Sequence, residues 1–124
     1  MLRELTDNER NFIRGVASRL DPDARHKLLF DLDRARALPT LKDGSLIELH
    51  IDGYQRPSHV GQHSFPFEGR LVDADGAEVC VLLFADPDDR LLELEFLRWG
   101  DGDLQGPDWT TLQIVSKPLP IGKR

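Results

Sequence analysis

At 124 residues and 14.1 kDa, with 40% hydrophobic and 31% charged residues and a formal charge of −6, the chain has the length of one domain and can bury a core without disulfides or metal. Its single cysteine, Cys80, excludes an intramolecular disulfide and a cysteine-rich zinc site. No apolar run approaches the roughly 20 residues of a membrane-spanning helix, and the opening MLRELTDNER is no secretion signal, so a reduced cytoplasmic setting is expected.

Thr6-Asp7-Asn8-Glu9 has the pattern of a capping box. The helix it opens places Phe12, Ile13, Val16 and Leu20 on one stripe, and Gly15 weakens it by roughly 1 kcal/mol relative to Ala. Asp21-Pro22 supplies an N-cap and a first-turn proline for a second helix. Its stripe is Leu28, Leu29, Leu32 and Ala35, and Leu38-Pro39 marks its end. The helical pair thus occupies residues 6–38.

After Asp43-Gly44 the apolar period changes from 3.6 to 2. Residues 45–51 read as a strand with Ile47, Leu49 and Ile51 on one face and Glu48 and His50 on the other. Residues 52–66 have no clean period and read as a long loop, a feature that is often functional. Residues 67–74 and 77–85 flank Asp75-Gly76, a two-residue hairpin signal that pairs Asp73 with Glu78 and Val72 with Val79. The second of these strands is apolar on both faces, so it should be central. Residues 91–99 return with Leu92, Leu94 and Phe96 opposite Glu93 and Glu95. A glycine-rich loop, 100–108, precedes a last strand at 109–115, which Pro118 and Pro120 stop. The expected fold is a single α+β domain over residues 1–124. The helical pair packs on a four- to five-stranded, mostly antiparallel sheet (a β-meander) spanning residues 45–115.

The charge is unevenly spread. Residues 1–38 carry 8 Lys/Arg against 7 Asp/Glu, whereas residues 71–110 carry 11 Asp/Glu against only Arg90 and Arg98. Such a surface repels phosphate backbones, which argues against nucleic-acid binding; it suits a basic protein partner or a divalent cation. A meander brings the 73–78 turn and the 101–103 loop to one end of the sheet, gathering Asp73, Asp75, Glu78, Asp101 and Asp103. Neither segment has the spacing of an EF-hand loop. Trp99 and Trp109 flank the glycine-rich loop, to pin it or to anchor a partner.

His59-Val-Gly-Gln-His63, with His50 on the preceding strand, is a second candidate, for metal. Histidines four apart share a face only on a helix, and Pro57, Gly61 and Pro66 argue against one here. Glu93 and Glu95 lie about 7 Å apart by strand geometry, a separation some glycosidases use, but alternating glutamates on a half-exposed strand are far commoner. Cys80, among Val79, Val81 and Leu82, behaves as a small hydrophobe. No G-x-S-x-G, P-loop or dinucleotide-binding glycine pattern is present.

The stretch 67–99, with its Asp-Gly hairpin, acidic turn and Leu-Glu-Leu strand ending in Trp99, resembles a group of small bacterial proteins of unknown function. The Leu-Thr-Asp-Asn-Glu-Arg opening is similar as well. Small acidic proteins of this general build also resemble immunity proteins, which neutralise a toxin domain by binding it. The resemblance implies a fold and carries no residue roles. The leading expectation is therefore a non-enzymatic, acidic protein-interaction module, with immunity-type neutralisation as one form. The alternative is a metal- or small-molecule-binding protein using the 52–66 loop with His50, His59 and His63. A homodimer through the apolar outer face of the 77–85 strand is a further possibility.

Overall fold

Thr6 starts the first helix as its neighbours dictate: its hydroxyl accepts from the Glu9 N–H at 3.1 Å, and the Glu9 carboxylate accepts from the Thr6 N–H at 2.8 Å. In the computed structural model, which describes residues 1–57 and 61–117, this helix is α1 (Asp7–Ala17). Phe12, Ile13, Val16 and Ala17 are its buried stripe. Asp21 caps α2 (Pro22–Asp33) by accepting from the Ala24 N–H, and Pro22 occupies its first turn.

The second helix ends earlier than its composition suggests. Residues Ala35–Pro39 form an edge strand, β1, that pairs antiparallel with β2 (Leu46–Ile51) from Ala35↔Ile51 to Pro39↔Ile47. Ala, Arg and Leu favour helix locally. Here a ladder with β2 overrides that weak preference, burying Ala35 and Ala37 and leaving Arg36 exposed. Pro39, at the strand's end, costs little at an edge.

The remaining strands are β3 (His63–Val72), β4 (Glu78–Ala85), β5 (Leu91–Arg98) and β6 (Asp108–Ser116). They complete a six-stranded antiparallel sheet in the order β1-β2-β5-β4-β3-β6. The sheet thus has one strand more than the upper expectation, and the extra one is β1. The expected 52–66 loop is also shorter, because His63 already pairs with Ala85. A register irregularity between Ser64 and Glu68, around Pro66, breaks the alternation that would have revealed this strand.

The β3–β4 turn differs by one residue from the expected hairpin. Val72 pairs with Glu78 and Leu71 with Val79, while the Asp73 N–H donates to the Ala77 carbonyl. Residues 74–76 form a three-residue loop closed by Gly76 at φ +93°, a left-handed conformation natural for glycine.

Both helices lie on one face of the sheet. Phe12, Ile13, Val16, Leu28 and Leu32 pack with Ile47, Leu49, Val79, Val81, Leu83, Leu94 and Phe96 in one core cluster. Trp109 joins this core, its ring 5.8 Å from Phe96 edge-on and 6.5 Å from Phe12. Two glycines permit the close approach of α1. A Cβ on Gly69 would sit within 3 Å of Phe12, Val81 and Leu112, and one on Gly15 would collide with Ile114. Gly15, a local cost to the helix, is the point where β6 packs against it. No helix among the described residues is long and apolar enough to cross a membrane.

Candidate functional site

Each end of the sheet is tied by an arginine between aspartates. At the turn end, Arg98 at the last position of β5 donates to Asp73 at 2.8 Å and to Asp75 at 2.7 and 2.6 Å. Asp73 also accepts from the N–H groups of Ala74, Gln105 and Gly106, which draws the 100–107 loop over the hairpin. Burial pushes the Asp73 carboxyl up, but these backbone donors and Arg98 outweigh it and hold the group below its ordinary range. Arg98 and the Ala77 N–H hold Asp75 at about 2.

At the opposite end, the buried Asp31 of α2 receives Arg90 at 2.8 Å and the Leu91 N–H at 3.0 Å. The Arg90 guanidinium also lies 4.1 Å from the centre of the Tyr54 ring. The Tyr54 hydroxyl donates to Asp86 at 2.6 Å, and Arg56 donates to Asp86 and to the Leu49 and Leu91 carbonyls. Burial raises the Asp86 carboxyl, yet Tyr54, the Arg90 N–H, Arg56 and the Asp88 N–H together hold it at about 2. Tyr54 itself, desolvated and bonded to that carboxylate, is pushed up to about 12.

The sheet face opposite the helices has different chemistry. Since Ile47, Leu94 and Phe96 point into the core, the residues between them point away from it. The ladder sets Glu48 opposite Glu93, and Glu95 opposite Leu82, which in turn faces Glu68. Leu97 lies opposite Cys80, and Cys80 opposite Arg70. The Glu93 carboxyl is raised, mainly by burial, with the Gln62 amide pulling down and the charges of Glu95 and Glu48 adding to the rise. Cys80 is buried there, and its thiol is pushed up to about 12 by that burial and by the adjacent Glu68. Beneath the 54–57 segment, a cleft of about 510 Å³ is lined by Glu48, His50, Tyr54, Arg56, Gln62 and Glu93 among others.

The two acidic bends do lie side by side, joined through Arg98 and the Asp73 hydrogen bonds. Their carboxylates are not equivalent. Asp73 is 2% exposed and saturated with donors, Asp75 is paired with Arg98, and Glu78, Asp101 and Asp103 are exposed. Trp99 is 59% exposed and borders the open face with Leu97 and Glu78, whereas Trp109 is half-buried against Phe12 and Phe96. His50 pairs with Glu48 at 3.3 Å and His63 with Asp89 at 2.9 Å. The sheet order puts β5 and β4 between their strands, about 14 Å in all at the usual strand spacing, so these two histidines do not converge. His59 lies outside the described residues. Among those described, no three His, Cys, Asp or Glu side chains are grouped to hold a metal ion. Tyr54, Arg56, Asp86 and the Asp31–Arg90 pair have no local signal, because their partners are 30 to 59 residues apart in sequence.

Residues 2–107 match the family model of a domain of unknown function, DUF6984. No curated protein and no solved structure matches the chain.

Proposed function

The chain belongs to the DUF6984 family, and on that premise we propose that it is a non-enzymatic interaction module that binds a basic protein surface with its helix-free sheet face. Toxin neutralisation of the immunity type, in a bacterial cytoplasm, is its concrete form. One observation carries this reading: Glu48, Glu78, Glu93 and Glu95 share that face with the exposed apolar side chains of Leu97 and Trp99, while Glu68 is buried against Arg70. Clustered carboxylates steer a cationic partner and raise the association rate, while exposed aromatic and aliphatic groups supply the desolvated anchor. Asp101 and Asp103 extend the acidic field at the rim, whereas the Asp73 carboxylate, enclosed by its donors, serves the fold.

The test is calorimetric titration against purified strongly basic proteins, with any encoded by adjacent genes taken first. Binding should weaken at least tenfold in the double variant Glu93→Lys/Glu95→Lys and in Trp99→Ala. It should also weaken as salt rises from about 0.05 to about 0.3 M. An affinity indifferent to both the variants and the salt would sink the reading. The alternative, a metal- or small-molecule-binding protein, is favoured by the cleft beneath the 54–57 segment, where Arg56 and the Glu48 and Glu93 carboxylates offer both signs of charge. Its signature would be binding that Glu48→Gln abolishes and Trp99→Ala leaves intact.

A further inference from the structure

The two edges of the sheet are unequally protected. On β1 the outer edge is short, ends in Pro39, and is already occupied: the Arg3 and Ala37 backbones exchange two hydrogen bonds of 2.8 Å. Pairing, proline and brevity are the usual safeguards of an exposed strand. At the other edge, β6 is nine residues long; its register with β3 is irregular between Asp108 and Gln113 and regular from Gln113 to Ser116. From Trp109 to Ser116 it carries no charged residue and no proline, and Thr, Ile, Val and Trp favour extended backbone.

The direction of its free hydrogen-bonding groups follows from one contact. The Lys117 N–H donates to the Pro66 carbonyl of β3 at 2.8 Å. Backbone groups alternate along an antiparallel strand, so residues 113, 115 and 117 face β3, and Leu112, Ile114 and Ser116 turn their N–H and C=O groups outward. Among the described residues no strand lies beyond them.

We propose that this edge of β6 pairs antiparallel with the same edge of a second copy of the chain, joining two six-stranded sheets across a two-fold axis. Self-pairing is complementary in charge as well as in hydrogen bonds, because it brings the Lys117 end of one strand to the Asp108 end of the other. It also sets uncharged side chains against each other in molecules that each carry −6. A face-to-face dimer through the outer side of β4 would instead press two sets of glutamates together. Edge pairing leaves both glutamate faces open and side by side, so the inference stands whether or not those faces bind a basic protein.

The test is sedimentation equilibrium of the full chain over a concentration series up to about 0.3 mM. The expected mass at the upper end is twice 14.1 kDa. Ser116→Pro removes one outward N–H and spares the ladder to β3, and Gln113→Lys places like charges near the two-fold axis. Each should return the mass to 14.1 kDa at concentrations where the parent chain is dimeric, with the thermal unfolding of dilute protein unchanged. Should Ser116→Pro fold poorly, Gln113→Lys alone decides. In the dimer the amides of Leu112 and Ile114 should exchange with solvent at least tenfold more slowly. A monomer throughout the series overturns the proposal, as does a dimer that ignores Gln113→Lys or leaves those amides in fast exchange.

Discussion

Arg98 meets Asp73 at 2.8 Å across the end of the sheet, its side chain only 10% exposed and that of Asp73 fully enclosed. The pair joins the last residue of β5 to the first residue after β3, and the backbone donors of Gln105 and Gly106 complete the shell of Asp73. This arrangement sets the chain path at that end, because removing the carboxylate takes the shared acceptor from Arg98 and three backbone N–H groups together.

Asp73→Ala should therefore destabilise the fold by about 3 kcal/mol, the scale expected when one partner of an enclosed, hydrogen-bonded ion pair is removed. Urea unfolding checks it: the midpoint should fall while the slope with denaturant stays unchanged. A loss below about 0.5 kcal/mol would mean that the loop is held by other contacts.

Acid should unfold the protein through the same groups. Asp75 and Asp86 sit at about 2 in the folded chain, and Asp73 is also lowered, against about 3.9 for an unfolded aspartate. A depressed carboxyl binds its proton more weakly in the folded state, so its stabilisation is complete above about pH 5 and is lost as pH falls through about 4 toward 2. Urea midpoints at pH 7, 5 and 3 should be level between the first two and drop at the third. A flat profile to pH 3 contradicts the ion pairs described.

Tyr54 is the one tyrosine in the chain, so its ionisation can be read directly from ultraviolet absorbance. It should titrate near 12, well above the ordinary value of about 10. Its folded value is raised, so the stabilisation it brings is full below about pH 10 and fades as pH climbs through the folded value. Asp86→Asn should bring the titration down toward 10. A parent chain that titrates at 10 would contradict the Tyr54–Asp86 contact.

Gly69→Ala tests how closely α1 is seated. The added methyl group meets Val81, Leu112 and Phe12 at once, and overpacking of this kind costs about 1–3 kcal/mol. Thermal unfolding should shift down accordingly, and Gly69→Ala combined with Phe12→Leu should cost less than the two changes summed. Additive losses would place the crowding elsewhere.

Short-range chemistry was legible from residues alone. The Thr6–Glu9 capping box, the Asp21-Pro22 helix start, the Asp-Gly hairpin and the Glu93–Glu95 alternation each depend on neighbours within a few positions, where backbone preference and side-chain period act directly. Local preference misled at Ala35–Pro39, whose helix-favouring residues become a strand because β2 offers them a ladder. It misled again at Pro66, which interrupts the period of β3.

What neighbours in sequence determined about this protein, then, is that two capped helices precede a series of antiparallel ribbons with an acidic second half. Tertiary structure alone decided which acids remain free. Arg98, Arg56 and Arg90 reach across 23 to 59 positions to neutralise Asp73, Asp75, Asp86 and Asp31, and on the open face Glu68 is buried while Glu48, Glu93 and Glu95 are partly exposed and Glu78 is exposed. Such pairings depend on strand order, and strand order follows from the burial of the whole chain at once, which no window of a few residues contains.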